Sequence, residues 1–268
     1  MKKVAGLLCV RGGSKRLTRK NVQECDGLKL MEYPLIAMSN ALCIDKFFVS
    51  TEDEEMKEIA RSYGAEVIDR PWQLATDLLG DAGVKLQAHR EIEKSMGADY
   101  CVYANATHPM IRAEEIDKMY DKLLSHSTAI GITTIHKMEK PAHLNNYRAL
   151  LPERGTILPI FHADNVGVNV FITNNLNDLY FSNGAYGIVR LDREFIQDMV
   201  SPDEELSAKN YIEMWADLEL NRILKQTAAG HVLQMGHVIP EYDAIDIHYE
   251  TDVKIAETLL KLRRERNV

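Results

Sequence analysis

Four stretches of this chain carry residue types whose spacing suits chemistry. The first is Arg11-Gly12-Gly13-Ser14-Lys15, with Arg16, Arg19, Lys20 and Asn21 close behind it. Adjacent glycines let backbone N–H groups converge on an anion with no Cβ in the way. The basic side chains add positive charge, and Ser14 adds a hydroxyl donor. That combination suits a polyphosphate, although a glycine turn beside cations is also common on protein surfaces. The loop fits neither GxxxxGK[ST] nor GxGxxG. The second stretch is Asp243, Asp246 and His248. Asp246 and His248 flank one apolar residue, so in extended chain they share a side. A carboxylate there can hold Mg²⁺ against a bound phosphate. The plain alternative is a surface turn, with His248 a polar neighbour of a helix cap at Thr251.

The third stretch is Arg70, followed by Asp77 in DRPWQLATD. An arginine at a strand end is a good ligand for a nucleobase or a phosphate, and equally a partner for Asp69 or Asp77. The fourth is Asn105-Ala106-Thr107-His108, a polar turn whose donors and acceptors suit a sugar. His108 is either a general base or a hydrogen-bonding partner. His136, His143 and His162 do not have metal-ligand spacing.

The elements that must position these residues alternate. The apolar run Val4–Val10 reads as a buried strand feeding the glycine loop. Helical character follows over 33–43, a strand over 46–50, and a helix to about Tyr63. Thr51 and Glu54 have the spacing of a capping box for that helix, and Gly64 ends it. A strand at 65–68 stops at Arg70-Pro71. A helix spans 82–96, a strand 100–104, and an amphipathic helix 113–126. Strands separated by helices imply βαβ units and a mostly parallel sheet. Such sheets bind ligands at the carboxyl ends of their strands, where all of the first-half candidates lie. Beyond Thr128 the pattern loosens. Strands are expected at 129–136 and 167–173, with a proline-containing polar connection between them that suits an excursion such as a dimerisation arm. A turn entering a strand is expected at 180–188, a helix at 202–225, a strand at 231–239 and a last helix from Thr251 to about Arg264.

The 268 residues suit one domain, and 46% apolar with 27% charged residues describes a chain able to fold around a core. A net charge of -8 argues against non-specific nucleic-acid binding as the main role. A basic loop in an acidic chain points instead to a small anionic ligand. No apolar run reaches membrane-span length, and the N-terminal apolar run ends too soon, at Arg11, for a signal peptide. Cys9, Cys25, Cys43 and Cys101 lack CxxC spacing and read as free thiols in a reducing cytoplasm.

The motifs together resemble the CMP-acylneuraminate synthetases, relatives of the CMP-Kdo synthetases. That family opens with Ala-Arg-Gly-Gly-Ser-Lys, a spacer and Lys-Asn, matched here by Val10–Lys15 and Lys20-Asn21. Its Val-Ser-Thr-Asp is matched by Val49-Ser50-Thr51-Glu52. Arg70-Pro71, Leu74–Asp77, Thr107-His108-Pro109 and Asn183-Gly184-Ala185-Tyr186 follow in the family's order, and Asp246-Ile247-His248 stands where the family has Asp-Ile-Asp. The resemblance implies a single Rossmann-like nucleotidyltransferase domain over 1–268, with a dimerisation arm at about 134–173. It implies that a nine-carbon 2-keto sugar acid attacks the α-phosphorus of CTP through its anomeric hydroxyl, releasing pyrophosphate, with Mg²⁺ as cofactor. Carried over by position, Arg11, Gly12, Gly13, Ser14 and Lys20 hold the triphosphate, and Asn21 and Arg70 contact the cytidine. Asn105, Thr107 and Tyr186 face the sugar, and Asp246 with His248 takes the metal. Arg11, Lys20 and Asp246 become the catalytic set. The family further implies a homodimer, with Lys137, Lys140, Arg148 and Arg154 of the arm candidates to meet the sugar carboxylate.

The departures are specific. His248 replaces a carboxylate, which weakens Mg²⁺ binding or changes how the ion is held. Asn105 replaces a glutamine, and the Arg-Gln pair that many members carry ahead of Asn-Gly-Ala is missing. The alternatives left standing are a related nucleotidyltransferase for a Kdo-like acid or another nucleotide, and a nucleotide-sugar binding protein that has lost turnover.

Overall fold

The computed structural model describes residues 2–14, 16–75, 82–127, 129–137, 147–151, 156–159, 180–191 and 235–266. The expected helix at 202–225 and strand at 167–173 lie outside these residues, as does most of the proline-containing connection.

In chain order the elements are β1 (Val4–Cys9), the short hairpin β2 (Glu24–Cys25) and β3 (Leu28–Lys29), α1 (Glu32–Asn40), β4 (Lys46–Thr51), α2 (Glu54–Ser62) and β5 (Glu66–Asp69). There follow α3 (Ala82–Ser95), β6 (Tyr100–Ala104), α4 (Ala113–Leu124), β7 (Gly131–Lys137), β8 (Tyr147–Leu151), β9 (Thr156–Pro159), β10 (Tyr180–Arg190), β11 (Met235–Val238) and a last helix, α5, Glu250–Glu265. All strands but the hairpin form one nine-stranded sheet in the order β5-β4-β1-β6-β10-β7-β11-β9-β8. β5, β4, β1 and β6 run parallel, and so do β7 and β11. β10 is inserted antiparallel between β6 and β7. Most strands of the sheet therefore run in one direction, with β5-β4-β1-β6 the parallel block that the βαβ pattern requires.

β1, flanked by β4 and β6, shows why. Every residue from Val4 to Leu8 is buried, because helices cover both faces. Val4 and Leu8 join Met56, Ile116 and Met119 on one side, while Ala5 and Leu7 join Phe48, Ala88 and Ile92 on the other. Chain order departs from β1 in both directions, to β4 on one side and β6 on the other. Such a switch point opens a crevice at the carboxyl ends of the strands, and the glycine loop and the Asn105 turn hang from the two strands that border it.

Two helix starts differ from expectation. Thr51 is still in β4, and Asp53 caps α2, its carboxylate accepting from the Met56 N–H at 3.1 Å. α5 begins one residue early, where the Asp252 carboxylate accepts from the N–H groups of His248 and Tyr249, each at 2.8 Å. Gly64, with φ of 83°, ends α2 as expected. Residues 134–137, assigned to the start of an arm, lie within β7 in the sheet, and β8 and β9 extend the same sheet at its edge. The strand expected at 231–239 is seen over Met235–Val238.

β7 and β11 carry His136 and His237. Burial lowers the pKa of each, against the pull of Glu241 on His136 and of the Glu115 carboxylate, 2.7 Å from Nε2, on His237. Lys118 and Lys122 also face His237 and lower it further. Because the folded-state values lie below the ordinary 6.5, the unfolded chain binds protons first. Stability is therefore expected to be level above that pH and to fall as the pH drops below it. Urea midpoints between pH 7 and 5.5 check this, and the slope should become shallower in a His136→Gln/His237→Gln variant, with the remainder due to the buried His108, whose pKa is lowered in the same direction.

Candidate active site

The loop after β1 is held by its neighbours. The buried Asn21 side chain donates to the Arg11 carbonyl at 3.0 Å, and the Gly12 N–H donates to Glu52 Oε1 at 2.8 Å. A Cβ on Gly12 would lie 2.7 Å from Asp53 Oδ2, whereas one on Gly13 would meet nothing within 4 Å. Asp53 cannot easily yield, since it caps α2 and pairs with Arg19 at 3.0 Å. The two glycines thus do different work. Gly12→Ala is expected to cost about 1–3 kcal/mol through overpacking, and Gly13→Ala to leave the urea midpoint unchanged. Equal effects from the two would remove this distinction.

Arg19 is committed to Asp53 and to Glu55, the latter at 2.6 Å, so it is not turned to the crevice. Lys20 is. Its Nζ donates to the Ile247 carbonyl at 3.0 Å, and burial lowers its pKa, reinforced by Arg16 and Arg11 and opposed by Asp246. Arg11, Arg16 and Lys20 therefore share one electrostatic neighbourhood with Asp246.

The turn after β6 forms the other wall. Asn105 is exposed, and its Oδ1 accepts from the Thr107 N–H at 3.3 Å and from Thr107 Oγ1 at 3.1 Å. The Thr107 carbonyl accepts from the Ile247 N–H at 2.9 Å, which ties the turn to the C-terminal segment. Ile247 is fully buried in a satellite core with Cys25, Leu30, Met110 and α5. Its neighbours Asp246 and His248 consequently share one side, as the alternation predicts, with His248 Nε2 3.1 Å from Asp246 Oδ2. Asp246 Oδ1 is buried and makes no hydrogen bond, and the buried His108 Nε2 has no hydrogen-bond partner within 3.5 Å, the Asn183 backbone being a polar influence on the ring. Burial lowers the His108 pKa, and Asp246 is the largest influence opposing it, with His248 and Lys20 also in range. Among the described residues no three His, Cys, Asp or Glu side chains are already grouped as a metal site. Asp246 and His248 are the pair able to hold an ion, facing cations able to hold an oligophosphate.

The remaining sequence-derived candidates hold the frame around the loop or lie in the core. Arg70 is 7% exposed and braces the corner after β4, with Nη2 donating to the Ser50 carbonyl at 2.7 Å and Nη1 3.8 Å from Glu52. It touches the loop through Glu52. Asn21 likewise has its amide on the loop backbone. Tyr186 is 4% exposed, in the core, where its charged neighbours are Glu115, Arg112, Asp243 and Arg263. Asp243 is neither a surface turn residue nor beside Asp246 as a ligand. It is buried, accepting from Arg112 at 3.1 Å and from Arg263, which also reaches the Met110 carbonyl at 3.3 Å. Arg263 in this way joins the turn after β6 to the segment before Asp246. It was not legible in the sequence, because nothing local marks an α5 surface arginine as the partner of an aspartate twenty residues earlier. Glu52 was also missed as a contact of the loop. Asp77, Lys140 and Arg154 lie outside the described residues.

The profile of the family described as Cytidylyltransferase matches residues 5–224. The chain is 27% identical over 154 residues to post-translational flagellin modification protein B of Campylobacter coli, covering 56% of this chain and 63% of that one. It is 32% identical over 129 residues to a pseudaminic acid cytidylyltransferase of Campylobacter jejuni, covering 45% and 54%. It thus spans between 54% and 63% of the length of these curated relatives. The fold matches that of a CMP:2-keto-3-deoxy-manno-octonic acid synthetase complexed with CTP, with a TM-score of 0.66 at 14% identity over 98% of this chain and all of that one.

Proposed function

The chain belongs to the cytidylyltransferase family, and from that premise we propose that it transfers CMP from CTP to the anomeric hydroxyl of a sialic-acid-like 2-keto sugar acid, releasing pyrophosphate. The observation that carries this reading is the joining of the glycine-loop segment and the turn after β6 to the Asp246 segment, through Lys20 Nζ on the Ile247 carbonyl at 3.0 Å and the Ile247 N–H on the Thr107 carbonyl at 2.9 Å. Nucleotidyl transfer needs a bound triphosphate, charge neutralisation and an aligned acceptor, and little covalent participation from the protein. Here the backbone and cations of the glycine loop bind the phosphates. Lys20, half-buried and tied to Ile247, keeps its charge at a fixed position. The Asn105–His108 turn lines the wall on which the acceptor sugar is placed.

The orphaned buried oxygen of Asp246 fits a divalent cation, and Mg²⁺ is the ion implied by resemblance. When bound, such an ion neutralises charge on the phosphate oxygens. The functional unit is proposed to be a homodimer, tested by light scattering of the purified chain.

Pyrophosphate release from CTP with neuraminate, legionaminate, pseudaminate and Kdo tests the reaction. Turnover with a nine-carbon acid supports it, and turnover with Kdo alone shifts the acceptor to an eight-carbon acid. A second reading, a nucleotide-sugar binder without turnover, is favoured by the contact of His248 with the Asp246 oxygen. CTP binding by calorimetry with no turnover on any acid would decide for it.

A further inference from the structure

We propose that Asp246 and His248 form a cation site that takes a divalent transition ion accepting imidazole nitrogen, such as Mn²⁺ or Co²⁺, in preference to Mg²⁺. The proposal rests on the reading of this crevice as a phosphate and cation site, and it concerns which ion the chain itself selects.

The spacing supports a shared ion. Two ligands bound at about 2.1–2.2 Å and at right angles to one another lie about 3.0–3.1 Å apart. His248 Nε2 and Asp246 Oδ2 are 3.1 Å apart. The second carboxylate oxygen, Oδ1, is buried and unpartnered, and the Nε2 atom of the neighbouring His108, which is 1% exposed, has no hydrogen-bond partner within 3.5 Å. The backbone of the pair is fixed on both sides. Ile247 is anchored by its side chain and by its N–H on Thr107, and the His248 N–H is held by Asp252. Lys20 directs its ammonium to the Ile247 carbonyl at 3.0 Å.

The chemistry of the donors then sets the preference. Mg²⁺ prefers oxygen ligands and dehydrates reluctantly, whereas a site with a nitrogen donor binds divalent first-row ions in an order that rises from Mn²⁺ through Co²⁺, so Mn²⁺ is the weakest-binding of these ions and serves as the spectroscopic probe. One carboxylate and one imidazole carry a single negative charge, so the attraction on which Mg²⁺ depends is reduced while nitrogen donation is gained. Phosphate oxygens and water complete the shell.

The test uses the full chain and Mn²⁺ alone. Electron paramagnetic resonance of free Mn²⁺ gives the dissociation constant, competition with Mg²⁺ gives the preference, and spin-echo modulation reports directly bound ¹⁴N. Bound Mn²⁺ with imidazole nitrogen coupling is expected. In His248→Asp the coupling should vanish, and the preference for Mn²⁺ over Mg²⁺ should fall by about tenfold or more, a change of the size that losing a metal-site partner produces. Absence of Mn²⁺ binding, bound Mn²⁺ without nitrogen coupling, or an unchanged preference in the variant would each overturn the proposal. The wild-type nitrogen coupling decides even if the variant fails to fold. Pyrophosphate release measured separately keeps the two readings apart. Nitrogen-ligated Mn²⁺ without turnover leaves the cation proposal standing and removes the reaction. Turnover with Mg²⁺ and no nitrogen coupling does the opposite.

Discussion

Asp246→Asn is expected to lower the rate of CMP transfer by about a thousandfold while changing CTP binding little. A bound cation contributes several kcal/mol of transition-state charge stabilisation, and about 4 kcal/mol corresponds to that factor. The amide keeps the shape of the side chain and can still meet His248, whose ring lies 3.1 Å from the carboxylate in the parent. It loses the charge that faces Lys20 and His108. In the proposed reaction CTP is held by the glycine loop and by the Arg11, Arg16 and Lys20 cations, none of which is altered. Calorimetry with CTP beside pyrophosphate release separates the two effects. Full turnover in the variant would remove Asp246 from the active site, and lost CTP binding would mean that the carboxylate organises the loop instead.

Asp243→Ala is expected to be strongly destabilising, at about 3 kcal/mol. Removing one partner of a buried ion pair typically costs about 3–5 kcal/mol, because the other charge is left without compensation. The Asp243 side chain is 5% exposed, and those of Arg112 and Arg263 are 29% and 18%, so water reaches the two arginines and the lower end applies. Arg112 retains Glu115 at 3.7 Å, whereas Arg263 is left with the Met110 carbonyl. Asp243→Asn, which preserves shape and one acceptor, should lose less. Urea unfolding of both variants measures this, and two variants within about 0.5 kcal/mol of the parent would show that the cluster carries no stability. The effect should also reach the crevice, since the turn after Ile239 that contains Asp243 leads directly into Asp246.

Much of the site was legible because it follows from local rules. An apolar run that stops at Gly-Gly is a strand feeding a loop, and a parallel sheet places such loops at one edge. Asp246 and His248 share a side because side chains alternate in extended chain and Ile247 is apolar. Arg70 and Asn21 show what lies beyond that reasoning. Type and position along the chain suggested ligand contacts, and the structure adds that the guanidinium turns under the β4 corner and the amide onto the Arg11 carbonyl. Each satisfies a backbone group that burial would otherwise leave unpaired. Tyr186 was read as a sugar contact on its place after Asn-Gly-Ala. Insertion of β10 between β6 and β7 buries it against α4 and the Asp243 cluster.

By itself, then, the sequence determined the alternation of strands and helices, the glycine loop after β1 and the pairing of Asp246 with His248. Each of these is set by residues within a few positions of one another. Only the tertiary structure decided that Lys20 meets Ile247 across more than two hundred residues, that Asp243 is an anchor between two arginines, and that Glu52 holds the Gly12 N–H. Those contacts depend on which elements pack together. Packing is a sum over many weak, distant contacts that no short stretch of sequence encodes.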